Sequence, residues 1–218
     1  QAVRNNGDVR ICCQANVTKN QGVVRHADGS SYNAGKHDMT EARTADFMNI
    51  VRKNMLEGRW SDECGRCKQE EESGLRSRRQ YEQQWDFKYE DAVKVTNDDG
   101  SINPDKVPLI YYDLRFGNLC NLKCRMCHPS ESTQWYDEWF DTMFKGFKTD
   151  FTRIEMEKDG TKAKLKNDIY KWNDIPHFFN QFDNSASGTR KIYFSGGEPT
   201  LVENMYTMLK KLIDAGIS

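Results

Sequence analysis

Apolar residues recur every three to four positions between residues 40 and 58. This spacing predicts an amphipathic helix that begins at Thr40, a residue type that caps helix N-termini. A weaker pattern over residues 68–85, broken at Gly74, predicts a second and more polar helix. The apolar positions of the first helix are Phe47, Ile50, Val51, Met55 and Leu56.

The second half of the chain alternates strand and helix patterns. Residues 107–116 form a near-continuous apolar run, which is typical of a strand buried on both faces of a parallel sheet. Aromatic residues at helical spacing over 130–147 predict a helix, and residues 191–194 and 201–215 predict a second strand and a second helix. This order predicts an α/β fold with a parallel sheet, whereas residues 148–190 have no clear period.

A turn-rich segment separates the two halves. The sequence Asn-Asp-Asp-Gly at residues 97–100, followed by Pro104, is typical of a chain reversal or a linker. We therefore place a domain boundary there. It divides a small α+β domain over residues 1–104, which opens with a strand pattern at residues 7–15, from an α/β domain over residues 105–218.

The chain has 32 basic and 33 acidic side chains, and its net charge is −1. A charge this close to zero gives no general attraction to phosphate backbones, so nucleic acid is not an expected partner. No uncharged apolar run approaches the ~20 residues of a membrane helix. The first thirty residues carry no secretory signal pattern, which favours a reducing, cytoplasmic compartment. Because the chain begins at Gln1 and ends just after a helical pattern, we expect a fragment truncated at both ends.

Seven cysteines, an odd number, favour metal ligation over a disulfide framework in such a compartment. Three of them, Cys120, Cys124 and Cys127, lie within eight residues directly after the first buried strand. Three thiolates on so short a loop can bind one metal ion or one iron–sulfur cluster. A cubic cluster held by three cysteines keeps one iron free for a small molecule, whereas a fourth cysteine would close it.

Two other interpretations of this loop stay open on the residues alone. Cys124, Cys127 and His128 match the attachment pattern of c-type haem, which requires export and does not use Cys120. The three cysteines with His128 could instead bind structural zinc. Neither interpretation accounts for the sequence Gly-Gly-Glu-Pro at residues 196–199, which follows the second predicted strand.

The spacing of the three cysteines after a buried strand, together with Gly-Gly-Glu-Pro after the next strand, resembles the radical SAM superfamily. The resemblance implies a partial (β/α)6 TIM-type barrel, of which residues 105–218 would supply the first strand–helix units. It also implies a [4Fe-4S] cluster that binds S-adenosyl-L-methionine (SAM) and cleaves it reductively to a 5'-deoxyadenosyl radical. That radical abstracts a hydrogen atom from a substrate, so the implied activity is that of an oxidoreductase-type radical enzyme.

The resemblance also assigns roles to residues. The three loop cysteines would ligate the cluster and take part in catalysis, while Met126 would pack against adenine at a position that is usually aromatic in the family. Glycines let the backbone approach a ligand closely, and a carboxylate accepts hydrogen bonds from an ammonium group. The cluster ligands are Cys120, Cys124 and Cys127. The residues expected to bind SAM are Met126, Gly196, Gly197, Glu198 and Pro199.

The other four cysteines predict a second metal site in the first domain. Gly7 followed by four residues and Cys12 resembles part of the SPASM and twitch motifs, which bind auxiliary [4Fe-4S] clusters in many radical SAM enzymes. The pair Cys64 and Cys67 has the spacing of a metal knuckle. The resemblance implies an auxiliary cluster ligated by Cys12, Cys64 and Cys67. Cys13 is the substitute for Cys12, and a fourth ligand would precede residue 1.

Further expectations follow from this resemblance. Residues 1–104 would be an N-terminally truncated twitch-like or SPASM-like domain, although such domains usually follow the radical core. By analogy the substrate is a peptide or a protein, and the electron donor is a protein such as flavodoxin or ferredoxin. The alternative from a different class is a non-enzymatic zinc-binding interaction module in which both cysteine groups are structural. Unligated buried thiols are a further alternative for the first domain.

Overall fold

The structure is a computed structural model, and it describes residues 1–15, 22–82, 88–144 and 154–217. The chain divides into two compact units. Two short segments before residue 37 belong to the same unit as the second half of the chain. The first unit comprises Gln1–Ala2, Val9–Tyr32 and His37–Leu109, and the second comprises Val3–Asp8, Asn33–Lys36 and Ile110–Ser218.

Two very short strands lie near the N-terminus, β1 at Ala2–Val3 and β2 at Val9–Arg10. In the first unit the amide of Val9 donates to the carbonyl of Tyr32 over 2.9 Å, and the amide of Val24 donates to the carbonyl of Val9 over 2.8 Å. The strand predicted near the N-terminus is therefore much shorter than its sequence pattern. It pairs with Val24 and Tyr32, which follow it in the chain.

The predicted helix of residues 40–58 is two helices. The first, α1, spans Met39–Thr44, and the second, α2, spans Asp46–Leu56. Ala45 between them has an extended backbone with ψ of 149°, which breaks the helix. Thr40, the predicted N-cap, lies inside α1. The single-helix prediction is wrong at Ala45, because helical spacing on both sides of a residue carries no signal for one extended position.

The polar segment that follows forms three short helices. α3 spans Gly65–Glu72, α4 spans Arg78–Glu82 and α5 spans Tyr89–Val95. The predicted interruption at Gly74 is confirmed, since this residue has φ of +75°, a conformation that glycine adopts without a Cβ penalty just beyond a helix end. The end of the predicted helix, residues 83–85, lies outside the described residues.

The turn at residues 97–100, where the sequence predicts a domain boundary, packs on α2 within the first unit. Nε of Arg52 donates to the carbonyl of Gly100 over 2.7 Å. Gly100 has φ of +84°, and a Cβ atom there would lie 1.9 Å from the carbonyl oxygen of Asn49. Only glycine permits this approach, so the turn is part of a packed unit.

The predicted parallel pairing is present in the second unit. β3 and β6 pair in parallel, with Tyr112 opposite Ile192 and Leu114 opposite Phe194. The strand prediction at residues 191–194 and the helix prediction after it are confirmed, although β3 is shorter than its apolar run. The elements of the second unit are, in chain order, β3 (Tyr111–Leu114), α6 (Tyr136–Trp139), β4 (Met156–Asp159), β5 (Lys162–Leu165), α7 (Pro176–Ser185), β6 (Lys191–Phe194) and α8 (Glu203–Asp214).

The residues without a clear sequence period contain regular structure that was not predicted. β4 and β5 form an antiparallel hairpin, and α7 follows it. The core residues of the two strands are Met156 and Ala163, one on each strand, so a two-residue period has no room to show. Periodicity fails here because the elements are short, although their buried positions are apolar.

The predicted helix of residues 130–147 is shorter and less regular than expected. α6 follows a 3-10 turn at Thr133–Trp135 and precedes a π-helix at Phe140–Phe144. Residues 145–147 lie outside the described residues. The aromatic side chains of this segment pack against the core formed by Ile154, Met156, Ala163 and Tyr170; they are Tyr136, Trp139 and Phe140.

Buried aromatic rings surround the end of β3. The ring of Phe116 lies 5.7 Å from that of Trp172 and 6.1 Å from that of Phe178, and the rings of Tyr112 and Phe182 are 5.4 Å apart. This packing fixes the point at which the cysteine loop leaves the strand. Within the described ranges, no helix combines the length and the apolar character that crossing a bilayer requires.

Candidate metal centre

The three-cysteine loop begins just after β3 and ends before α6. Cys120 is buried, Cys127 is half-buried and Cys124 is exposed. The amide of Cys127 donates to the carbonyl of Cys124 over 3.0 Å, so these two residues close a tight turn. The three cysteines of the loop therefore differ in solvent exposure, from buried Cys120 to exposed Cys124.

Asn118 ties the start of the loop to its end. Its side chain is buried, and Nδ2 donates to the carbonyl of Pro129 and to the hydroxyl of Tyr136, each over 2.6 Å. The amide of Thr133 donates to the carbonyl of Asn118 over 3.1 Å. The segment between Asn118 and Pro129 contains all three cysteines, so these bonds close the loop around the candidate ligands.

Backbone carbonyls inside the loop accept hydrogen bonds from the segment that leads into α6. The carbonyl of Cys120 accepts from Oγ1 of Thr133 and from Nε2 of Gln134, both over 3.2 Å. Nε1 of Trp135 donates to the carbonyl of Cys124 over 3.1 Å. These contacts hold the main chain of the loop without involving its thiols.

The surroundings of the loop thiols affect how readily they ionise. The amide of Leu122 donates to Sγ of Cys120 over 3.3 Å, and such a bond favours the thiolate that metals bind. Burial raises the pKa of Cys127, and the negative charges of Cys124 and Glu131 raise it further. A bound cation would remove this mutual repulsion, because metal ligation requires the deprotonated thiols.

The Gly-Gly-Glu-Pro turn lies against the backbone that leads into the cysteine loop. The amide of Glu198 donates to the carbonyl of Leu119 over 2.8 Å. Gly197 has φ of +54°, and a Cβ atom there would lie 2.3 Å from the same carbonyl oxygen. Gly196 has φ of +79°. The positive φ of the turn favours glycine at both positions, and the close approach to the residue before Cys120 requires it at Gly197.

Of the predicted SAM-binding residues, Glu198 and Met126 present side chains that a ligand can reach. The carboxylate of Glu198 accepts from the amide of Thr200 over 3.1 Å and from its hydroxyl over 2.6 Å. These bonds lower the pKa of Glu198, so the side chain is ionised at neutral pH. Met126 is 92% exposed, which leaves its thioether available to an adenine ring. Pro199 opens the short 3-10 turn that follows Glu198.

His128, which the zinc and haem interpretations use, interacts with Ser130. Its Nδ1 lies 2.9 Å from Oγ of Ser130, and its ring lies 6.0 Å from the ring of Trp139. Throughout residues 1–15, 22–82, 88–144 and 154–217, no group of three or more His, Cys, Asp or Glu side chains is placed to hold a metal ion. The three thiols and His128 therefore do not form a preformed metal-ion site in this part of the chain.

The loop carries three thiols, which are the type of soft ligand that iron–sulfur clusters take. A cube carries its irons at separate corners, so its thiolates can lie farther apart than the ligands of one ion. The loop supplies three soft sulfur ligands, an amide bonded to Sγ of Cys120 and a main chain held independently of the thiols. Cys120, Cys124 and Cys127 are therefore the residues that would hold such a cluster.

A cavity of about 440 Å³ adjoins the start of the loop in the second unit. Its wall includes residues 117–119, directly before Cys120, together with Tyr136 of α6. Asp168 and Asp174, which lie between the hairpin and α7 in the sequence, also line it. A cavity of this volume can hold a small ligand or one side chain of a larger substrate.

The first unit brings its own cysteines together. Cys64 ends a 3-10 turn, and Cys67 is buried in the first turn of α3. Burial raises the pKa of Cys64 to about 11, and the negative charges of Cys12 and Cys67 act in the same direction. Burial also raises the pKa of Cys12, the charges of Cys13 and Cys67 act in the same direction, and hydrogen bonds from the backbone of Gln14 and Ala15 oppose the shift. Cys12, which is distant in sequence, thus lies near enough to Cys64 for its charge to act there, whereas no group of three or more His, Cys, Asp or Glu side chains in the described part of the chain is placed to hold a metal ion.

The chain matches no protein-family model, no curated protein and no solved structure. The family resemblance of the motifs therefore stays a prediction, as do the barrel, the cofactors and the role of each cysteine. The functional proposal depends on the motifs and on the geometry around them.

Asn118 and the cavity were not predicted from the sequence. Asn118 precedes the first cysteine by two residues, and a polar residue between the apolar residues Phe116 and Leu119 is a signal that could have drawn attention to it. The cavity had no such signal, because part of its lining lies in residues 165–174, where the sequence shows no period.

Proposed function

We propose that the chain is part of a radical SAM enzyme whose catalytic cluster binds to Cys120, Cys124 and Cys127. The observation that carries this proposal is the packing of Gly197 against the carbonyl of Leu119. Two sequence motifs that are about seventy residues apart along the chain lie side by side in the second unit. A zinc module or an electron carrier needs no such partner for its cysteine loop.

The residues of the chain divide the work. The three cysteines hold the cluster, and the carbonyl contacts from Thr133, Gln134 and Trp135 hold the loop. When bound, the reduced cluster supplies the electron that cleaves SAM to methionine and a 5'-deoxyadenosyl radical, which takes a hydrogen atom from the substrate. The contribution of the protein is to position these groups.

Glu198 is the residue proposed to bind the methionyl ammonium group of SAM. Its carboxylate is ionised and is oriented by Thr200, so it offers a fixed negative charge beside the Gly196–Gly197 turn. A charge-assisted hydrogen bond of this kind is stronger than one between neutral groups. Met126 is proposed to cover the adenine, because its side chain is exposed and polarizable.

The cavity beside residues 117–119 is proposed as the substrate pocket of the same site. It borders both the segment before Cys120 and Tyr136, so a ligand in it would approach the cluster loop. A peptide or protein substrate enters the proposal by analogy with twitch and SPASM enzymes. In the first unit, Cys12, Cys64 and Cys67 are proposed to hold an auxiliary cluster, with Cys13 in place of Cys12 as the alternative.

The test is production of 5'-deoxyadenosine. The protein, reconstituted without oxygen using iron and sulfide, is reduced and incubated with SAM, and the products are separated by chromatography and identified by mass. We expect 5'-deoxyadenosine from the native chain extended to its full reading frame and none from its Cys124→Ser variant. Stoichiometric zinc with no iron uptake and no product would support the structural zinc module instead.

A further inference from the structure

The side chain of Asn118 makes two bonds that determine its orientation. The carbonyl oxygen of Pro129 has no proton, so the atom of Asn118 that faces it over 2.6 Å must be the amide nitrogen. The same nitrogen lies 2.6 Å from the hydroxyl of Tyr136. Since an amide nitrogen carries two hydrogens in a fixed plane, each hydrogen has its own acceptor.

Few other side chains could make this pair of bonds. A carboxylate in place of the amide has no proton to donate to Pro129, and a serine hydroxyl has only one. Asn118 is only 6% exposed, and Pro129 is fully buried. A lost donor here would leave a buried carbonyl without its partner, which is costly.

We propose that Asn118 is a positioning residue that preorganises the three thiols of the cysteine loop for cluster binding, an inference that rests on the proposed function of this loop. Asn118 and Pro129 bracket Cys120, Cys124 and Cys127, so the bond between them fixes the ends of the segment that carries all three ligands. Tyr136 anchors the same amide to α6.

The physical reason is conformational entropy. A loop whose ends are joined has fewer conformations, so its thiols spend more time in the arrangement that a cluster requires. Contacts that orient metal ligands typically change metal affinity or activity by about 10- to 100-fold when removed. The bonds from Thr133, Gln134 and Trp135 to the loop carbonyls remain in an Asn118 variant, so we expect the lower end of this range.

The test uses the metal-free protein, so that it does not depend on cluster formation. Phenylarsine oxide binds two thiols that lie close together, and its adduct with Cys124 and Cys127 is located by mass spectrometry. Its affinity is measured for the native chain, for Asn118→Ala and for a matched control, Asn33→Ala. Asn33 also makes two hydrogen bonds in the second unit, to the carbonyl of Asn6 over 2.8 Å and from the amide of Gly35 over 3.0 Å.

We expect Asn118→Ala to bind phenylarsine oxide about tenfold more weakly than the native chain, with Asn33→Ala close to native. Melting temperatures are recorded for all three, and binding is measured well below each midpoint. An affinity of Asn118→Ala equal to that of the native chain would overturn the proposal. So would an equal loss in Asn118→Ala and Asn33→Ala, because that result would reflect general destabilisation.

Two further variants keep the test decisive if Asn118→Ala does not fold. Asn118→Ser retains one donor and is expected to lose less affinity than alanine would. Tyr136→Phe removes only the second acceptor, so the bond to Pro129 and most of the affinity should remain. A Tyr136→Phe loss larger than that of Asn118→Ser would contradict the role of the Pro129 bond.

Cluster formation is read separately and tests the proposed function. If the native chain binds iron and sulfide, its Asn118 variants should release iron to a chelator about tenfold faster than Asn33→Ala does. If the native chain takes up no cluster while the arsenical affinities differ as expected, the proposed function fails and the positioning role of Asn118 stands.

Discussion

Each unit contains a group of three candidate cysteine ligands, but the two groups are placed differently along the sequence. In the second unit, three thiols lie on one short loop, and one of them, Cys124, is exposed. In the first unit, Cys12 comes from the segment after β2, whereas Cys64 and Cys67 lie at the start of α3. The cysteines of the second-unit loop are therefore brought together by the local sequence. The cysteines of the first unit come together only when that unit is folded.

This difference determines what each group depends on. The loop of Cys120, Cys124 and Cys127 keeps its shape through hydrogen bonds to its own main chain. The first-unit group depends on packing, because burial is the largest of the causes that raise the pKa of Cys64 to about 11, ahead of the charges of Cys12 and Cys67. We therefore expect the loop to tolerate changes in its surroundings better than the first-unit group does.

The largest expected effect separates the two groups by chemistry. Cys124→Ser should abolish cleavage of SAM, because the catalytic cluster loses a ligand. Cys64→Ser should leave the loop cluster in place and remove only the auxiliary one. Each variant should lower the iron content from about eight to about four atoms per chain, as measured by iron analysis.

Two outcomes would contradict the prediction for this pair of variants. If Cys64→Ser abolished SAM cleavage while Cys124→Ser retained it, the catalytic roles of the two groups would be reversed. Equal retention of cleavage in both variants would show that neither group holds the catalytic cluster.

The next effect tests the contact between the two motifs of the second unit. Gly197→Ala places a Cβ atom 2.3 Å from the carbonyl of Leu119 at a positive φ, so it should lower the free energy of unfolding by about 3 kcal/mol. Gly160→Ala is the matched control, because Gly160 has φ of +62° but open space around it. Strain alone should cost the control about 1 kcal/mol.

Urea unfolding of both variants checks this prediction. If Gly197→Ala and Gly160→Ala lowered the free energy of unfolding equally, residue 197 would not be in close contact with the carbonyl of Leu119. The observation that supports the proposed function would then lose its force.

A smaller effect concerns the proposed ammonium partner. Glu198→Gln removes the negative charge but keeps the size of the side chain, so the dissociation constant for SAM should rise about tenfold. Glu203→Gln, at the exposed start of α8, is the control and should bind SAM as the native chain does. Equilibrium dialysis of the reconstituted protein measures both, and an unchanged Glu198→Gln would remove this residue from the site.

Thiol reactivity in the metal-free protein compares the two groups directly. Cys124 is exposed, whereas Cys120 and Cys67 are buried at 7% and 8% exposure, so Cys124 should be alkylated first by iodoacetamide. The expected difference in rate is at least several-fold, followed by mass spectrometry of peptides. Faster alkylation of Cys67 than of Cys124 would show that the first unit does not bury its thiols.

The smallest effect concerns the support of the first-unit group. Arg79 donates to Glu71 over 3.1 Å and opposes the high pKa of Cys64. The bond to Arg79 lowers the pKa of Glu71, so its stabilisation is present above the ordinary carboxyl pKa of ~4.3 and is lost as the pH falls through the lowered value.

Glu71→Gln should therefore destabilise the protein by about 0.5 kcal/mol at pH 7 and by less at pH 3. Glu72→Gln is the control, because Glu72 is exposed and its oxygen lies 3.8 Å from Lys68. Urea unfolding at the two pH values measures this loss in the free energy of unfolding. A loss for Glu71→Gln that was larger at pH 3 than at pH 7 would contradict the role of this ion pair.

Sequence patterns predicted the parts of the fold that are long or locally specified. The strand at residues 191–194, the helix after it and the break at Gly74 follow from periodicity and from the backbone freedom of glycine. The hairpin β4–β5 was missed because each strand buries one core side chain. Ala45 was missed because its extended backbone leaves no mark on the spacing around it.

The candidate site divides in the same way. The cysteine spacing and the Gly-Gly-Glu-Pro sequence are visible in the chain, and they named the residues of interest. The approach of Gly197 to Leu119 and the bonds of Asn118 depend on tertiary packing, which the local sequence does not encode. The sequence could therefore suggest which residues act and not how their positions are held.

The central claim is that the second-unit loop holds a cluster with one open iron. The most direct measurement is the EPR spectrum of the anaerobically reconstituted, dithionite-reduced protein with and without SAM, in the native chain and in Cys64→Ser. We predict a [4Fe-4S] signal that shifts when SAM is added, and that persists with the same shift in Cys64→Ser. A signal that ignores SAM in the full reading frame, or zinc in place of any cluster, would contradict the claim.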